Sequence, residues 1–200
     1  MKNNYEVDAF KYLTQCLEKE IQVIAIKSRM RGRYLVGTKV ALFSTENVPQ
    51  LQKLGIIDKD ENVVEAFKAT EKTEKNILDV LDKAPSLMGH EPGGYCEYVM
   101  NNHKTLGNCY SIDIEDREQQ AIVTVDKGLF DIFNKCDYAD TYGRLNCLFF
   151  YAGGFLAGFV LPVNEGTGAG EKHKDDYFIR VYNKNFYANK HADALENVFF

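Results

Sequence analysis

The 200-residue chain has no tryptophan, only four prolines, and no apolar run near the ~20 residues that a membrane-spanning helix needs. Its longest apolar stretch, residues 145–163, is broken by Asn146, three glycines and Pro162. A membrane helix is therefore excluded from the reading. The first ten residues, MKNNYEVDAF, lack the apolar centre of a secretory leader, so a cytoplasmic location is expected. Excess basic charge is missing too. The 24 Lys and Arg stand against 29 Asp and Glu, which gives a net charge of −5 and an isoelectric point near 5.4. That balance excludes general attraction to nucleic acid or anionic membrane and leaves only local basic faces. Cysteines are few, odd in number and scattered, at 16, 96, 109, 136 and 147. In a reducing compartment they read as free thiols.

Apolar residues make up 45% of the chain, with 13 Phe and 12 Tyr, enough to build a core for a single domain over residues 1–200. Residues 5–19 pattern as a helix, because Val7, Phe10, Leu13, Cys16 and Leu17 recur at steps of three and four. Residues 21–28 and 33–44 read as two β-branched strands with a turn at Gly32 and a second turn or bulge at Gly37. Residues 46–84 are Lys- and Glu-rich and helix-prone, and they are read as a helical insertion or projecting element. Pro85, Gly89, Pro92, Gly93, Gly94 and Gly107 predict irregular structure over 85–108.

Strand signals resume at 109–115, where Ile112 and Ile114 alternate with acids, and at 121–125. A short helix follows over 128–136, capped by Asp126. Residues 145–151 and 155–163 then form a hairpin across Ala152, Gly153 and Gly154. Residues 164–176 are a Gly- and charge-rich loop, 177–182 a strand, and 189–200 a helix-prone tail. The sum is an α+β protein with a mixed or mainly antiparallel sheet, packed helices and a helical insertion. Phe130, Phe133, Leu148, Phe150, Leu156, Phe159 and Leu161 are its expected core.

The candidate binding residues are Lys27, Arg29, Arg31 and Arg33. They fall at every second position, so an extended backbone points all four charges one way, and Arg forks suit phosphates or carboxylates. The bland counterpart is a solvated hairpin tip paired with nearby acids. His90, Cys96, His103 and Cys109 supply zinc-type donors within twenty residues, and Cys96 with a nearby imidazole is a conceivable nucleophile. Their spacings match no zinc knuckle and no thiol-enzyme signature, so no catalytic residue, metal ligand or cofactor is assigned. The 165–172 glycines depart from a phosphate loop, and Asp58 to Asn62 lacks the glycine of a calcium loop.

Val125 and Asp126 close a strand, residues 129–133 follow as a helix, and two strands finish in Val160, Leu161, Pro162 and Val163. This unit resembles the closing half of a domain in the DNA polymerase sliding-clamp family. The helix at 8–19 and the strands at 21–28 and 33–44, with Leu35–Thr38 and Leu42–Thr45, are similar to its opening half. The resemblance implies a non-catalytic accessory factor of DNA metabolism that binds a protein partner or DNA and self-associates as a homo-oligomer through sheet edges. Two other functions are carried beside it. One is a thiol or zinc enzyme centred on Cys96, Cys109, His90 and His103. The other is an inhibitor-type interaction module using the charged 46–84 helices.

Overall fold

The structure is a computed structural model that describes residues 5–28, 32–81, 95–99, 103–106, 109–115, 120–142, 147–161 and 178–182. It is an α+β fold. Helix α1 (Tyr5–Glu18) leads into strands β1 (Ile24–Lys27), β2 (Tyr34–Thr38) and β3 (Ala41–Thr45). Helices α2 (Val48–Lys53) and α3 (Glu71–Leu81) follow, with a 3-10 turn at Glu65–Phe67 between them. Strands β4 (Tyr95–Val99), β5 (His103–Leu106), β6 (Cys109–Glu115) and β7 (Gln120–Asp126) precede α4 (Lys127–Phe133). The chain then runs through β8 (Tyr138–Tyr142), β9 (Leu148–Ala152), β10 (Phe155–Val160) and β11 (Phe178–Tyr182).

Eight strands form one sheet in the order β1-β2-β3-β10-β9-β8-β11-β4, and β5-β6-β7 form a second. Every pair in the large sheet is antiparallel except β11 with β4. The first six strands of that order, β1 to β8, have a repeated plan. α1-β1-β2-β3 and α4-β8-β9-β10 are both helix-strand-strand-strand units, and they join through β3 against β10, where Gly158 faces Phe43. Both helices pack into the core cluster on one face of the sheet. They touch there through the Tyr5 and Phe133 rings, 6.2 Å apart, and through Lys135 and Asp8 at 2.9 Å. The arrangement is that of an approximate two-fold axis between β3 and β10.

Local chemistry accounts for the helix ends. Tyr5, Ala9, Phe10, Leu13 and Cys16 give α1 a continuous buried stripe, and Glu6 and Asp8 complement the positive end of its dipole. Glu20 then takes a left-handed φ of 56°, Ile21 N–H donates to the Cys16 carbonyl at 2.8 Å, and Glu20 N–H to that of Leu17 at 3.2 Å. This is a Schellman stop built without glycine. Asn47 caps α2 through Oδ1, which accepts from Gln50 N–H, and Asp126 caps α4 by accepting from Leu129 N–H at 3.0 Å.

The sheet separates two cores. α1, α2 and α4 cover Ala25, Tyr34, Val36, Phe43, Leu148 and Phe150. α3 covers the other face, where Ile77, Leu78 and Leu81 meet Ile24, Leu35, Leu42 and Phe149. Segment 46–81 is helical at both ends, and its first part is integral to the fold, since Leu51, Ile56 and Ile57 lie inside the first core.

Some sequence expectations need correction. The strand expected over 33–44 is two strands, turned at Lys39 and Val40, because β2 and β3 pair with each other from Thr38↔Ala41 outward. Strands β4 and β5 lie inside the stretch expected to be irregular, and β8 was not anticipated. Val7, counted in the apolar stripe of α1, is 55% exposed. The tail from 189 and the loop at 164–176 lie outside the described residues.

Candidate functional site

A groove of about 1000 Å³ opens at one end of the large sheet. Its walls are the first turns of α1 (Tyr5, Val7, Phe10, Lys11), the start of α2 (Asn47, Gln50) and the strand ends carrying Arg33, Glu46 and Phe155. Val7 and Phe155 are two of the four large apolar residues exposed among the described residues, and both line this groove.

Strand register brings the polar row together. Tyr34 pairs with Thr45, so one residue further out Arg33 comes opposite Glu46. The guanidinium donates to Glu46 Oε1 at 3.2 Å and to Ser44 Oγ at 3.4 Å, and it lies 5.2 Å from the Phe155 ring centroid. This fixes a planar cation on an aromatic face at the groove wall. Only 17% of the Arg33 side chain is exposed, against 68% for Glu46. The floor is tied down as well. Tyr5 donates its hydroxyl to the Ser44 carbonyl at 2.8 Å, and Thr45 Oγ1 donates to Glu6 at 2.8 Å. Burial, with Glu6 adding to it, pushes the Tyr5 phenol well above its ordinary range, so it stays a neutral donor.

Lys11 stands on the rim, 71% exposed, with Asp8 3.7 Å away. Asp8 is already bound by Lys135, whose hydrogen bond is the main reason its carboxyl sits below the usual carboxylate range. A depressed folded-state value stabilises the fold at neutral pH. The contribution is complete above the ordinary value of 3.8 and is lost as pH falls through the lower folded value. The pair is half exposed, so it is worth only about 0.2–1 kcal/mol. Lys135→Ala is expected to lower the unfolding free energy at pH 7, measured by urea titration, by that amount. The gap to the wild type should close as pH falls below 3.8 and through the lower folded-state value. A gap that persists unchanged into acid removes the ion pair as its cause.

The residues read from the sequence separate here. Lys27 pairs with Tyr34 and shares its face, with the ammonium 6.0 Å from the Tyr34 ring centroid. Gly32 turns the chain at φ +78°, a conformation that glycine adopts without strain, and Ser28 N–H then donates to the Arg33 carbonyl. Lys27 and Arg33 thus lie on the two sides of a turn and not along one continuous extended segment. Arg29 and Arg31 lie outside the described residues. Of the four, the structure places Arg33 in the groove and Lys27 away from it.

The thiol and zinc set is also divided. Cys96 is in β4 of the large sheet, whereas His103 and Cys109 are in the small one, and His90 is outside the described residues. Among the described residues no three His, Cys, Asp or Glu side chains gather as metal ligands would. Cys16, Cys136 and Cys147 are buried and free, and burial pushes the Cys136 and Cys147 thiols far up from their usual range. Asp58, the first residue of the calcium-like stretch, accepts from the Asp60 and Asn62 backbone N–H groups at 2.9 and 2.8 Å and closes a local turn. Among the described residues, no helix is long and apolar enough to cross a membrane.

Sequence reasoning missed the two apolar members of the groove. Val7 fits the helical stripe, and Phe155 opens a strand whose next residues are buried, so neither announces exposure. The Gly32 turn is the local signal that separates Arg33 from Lys27. No protein-family model, curated protein or solved structure matches this chain.

Proposed function

We propose that this chain is a non-catalytic binding protein that engages a protein partner through the groove between α1, α2 and the β9–β10 turn. The observation that carries the reading is the pairing of Val7 and Phe155, both more than half exposed, across a groove whose polar wall is held in place by the Arg33–Glu46 pair. Exposed apolar groups flanking a preformed concavity, with fixed polar groups beside them, are the ordinary make-up of a recognition site.

The sliding-clamp likeness fits this reading as an accessory factor of DNA metabolism. Its support is the doubled helix-strand-strand-strand plan, with α1 and α4 side by side on one face. A fold likeness by itself does not carry an activity. Charge favours the protein-facing form over the DNA-facing one. α1, α4 and the residues just after them present Lys11, Lys19, Lys127 and Lys135, against Glu6, Asp8, Glu18, Glu20 and Asp131. Asp8 is already shared by Lys11 and Lys135. A surface so balanced attracts phosphates weakly.

Site-directed photo-crosslinking tests the reading. A benzophenone amino acid replaces Val7 or Phe155, and the exposed Val40 serves as control. Expression is in the cell that makes the protein. Crosslinks to one defined protein are expected from positions 7 and 155, with none from 40. An identical pattern from all three positions, or none from any, defeats the groove as a docking surface.

A further inference from the structure

We infer that residues 195–200 of the same chain seat in this groove and compete there with the outside partner. The inference rests on the docking reading and adds its regulation: the chain covers its own docking surface until a partner displaces the segment.

Strand register brings the chain to the groove before this segment begins. β9 pairs with β8 through Tyr151↔Tyr138, and β8 pairs with β11 through Tyr138↔Tyr182. Tyr182, where β11 stops, is therefore at the same end of the sheet as the β9–β10 turn, which gives Ala152, Gly153 and Phe155 to the groove. Two strand spacings, about 10 Å, separate β11 from β9. Residues 183–200 follow in the sequence, outside the described residues. The first twelve of them span up to about 40 Å. That exceeds the five strand spacings, about 24 Å, from β11 to β2 beside Arg33. A flexible tether of twelve residues averages roughly 20 Å end to end, and a tether matched to its span gives an effective concentration on the order of millimolar. A second copy in solution matches that only at a similar protein concentration, so the segment of the same chain is the favoured occupant.

The lining calls for an apolar segment of low charge. Val7 and Phe155 are its exposed apolar members. Its charges balance, Glu6 and Glu46 against Lys11 and Arg33, which disfavours a strongly charged occupant of either sign. Residues 195–200 read Leu-Glu-Asn-Val-Phe-Phe, four large apolar side chains with one charge. Other stretches outside the described residues fit less well. Residues 1–4 hold one large apolar side chain, Met1. Residues 162–177 are Gly-rich and highly charged, and they follow β10 beyond Val160, which pairs with Leu148 at the opposite end of the sheet. Residues 82–94 follow α3, which covers the other face.

Photo-crosslinking on the purified whole chain tests the inference. Benzophenone at position 155 is expected to join residues 195–200, identified by mass spectrometry of the digest. The product should have monomer mass and a yield independent of protein concentration, and position 40 should give none. Phe199→Ser with Phe200→Ser should abolish this crosslink and, in the cell, raise capture of the outside partner from position 155 severalfold. A labelled synthetic peptide of residues 190–200 should bind the doubly substituted chain roughly tenfold more tightly than the wild type in fluorescence polarisation, because the tethered competitor is gone. The first measurement leaves residues 195–200 unaltered, so it decides even if the substituted chain misfolds. A crosslink to another segment, one only at dimer mass, or equal peptide affinity for the two chains overturns the inference. No crosslink within the chain, with a partner still captured from positions 7 and 155, ends the self-masking alone. A crosslink within the chain with no partner captured even after the double substitution makes the segment a fixed part of the fold, and both readings fall.

Discussion

Phe133→Ala is expected to cost about 3–5 kcal/mol, lowering the melting temperature by about 6–20 °C in a chain of this length. Phe133 is 1% exposed at the end of α4. Its ring stacks on Phe150 at 4.7 Å with an interplanar angle of 11° and lies 6.2 Å from the ring of Tyr5. It thus joins α4, the second half of the sheet and α1, so the two helix-strand-strand-strand units share this one side chain. Truncation leaves a cavity against Phe150 and Gly158 of the sheet, and those strands cannot collapse into it without losing register. Thermal and urea unfolding of the variant measure the effect. A loss below about 1 kcal/mol would show that α4 contributes little to the core.

Gly158→Ala is the second large effect, and it depends on the first residue. A Cβ at position 158 would lie 2.6 and 2.7 Å from two atoms of the Phe133 ring and 2.4 Å from the Leu42 carbonyl oxygen. The backbone here is irregular, with a register shift between Leu156 and Gly158. Glycine is needed for close approach between the central strands, where β10 meets β3, and for contact with α4. Forcing one methyl into that space is expected to cost about 1–3 kcal/mol, and more if the β3–β10 pairing has to open. The double variant with Phe133→Ala separates the two contacts. Removing the ring relieves its clash but not the one with the carbonyl. The combined loss should therefore fall short of the sum of the single losses by about 0.5–3 kcal/mol, the coupling typical of touching residues. Strict additivity would mean that the ring and position 158 are not in contact.

What the sequence by itself determined is what local chemistry can encode. The stripe of Phe10, Leu13 and Cys16 is enough to make α1, Asp126 with the apolar run from Leu129 makes α4, and two glycines between aromatic strands make the β9–β10 hairpin. The expected core residues are buried, with Leu161 partly so. Tertiary structure decided the rest. β8 was hidden because Asp140 sits mid-strand and Asp disfavours strands, yet Asp140 is fully buried. The register sets Arg180 of β11 directly opposite it, a pairing across forty residues that no local window contains. The two-fold plan was equally invisible, since it lies in strand order and not in a repeated residue pattern. The groove was out of reach for the same reason. Arg33, Glu46 and Phe155 come from three strands, and only the pairing of β2 with β3 and of β3 with β10 brings guanidinium, carboxylate and ring to one end of the sheet. Periodicity fixes which way a side chain points along its own strand, but which neighbour it meets is set by sheet order, and that depends on how the whole chain buries its apolar faces.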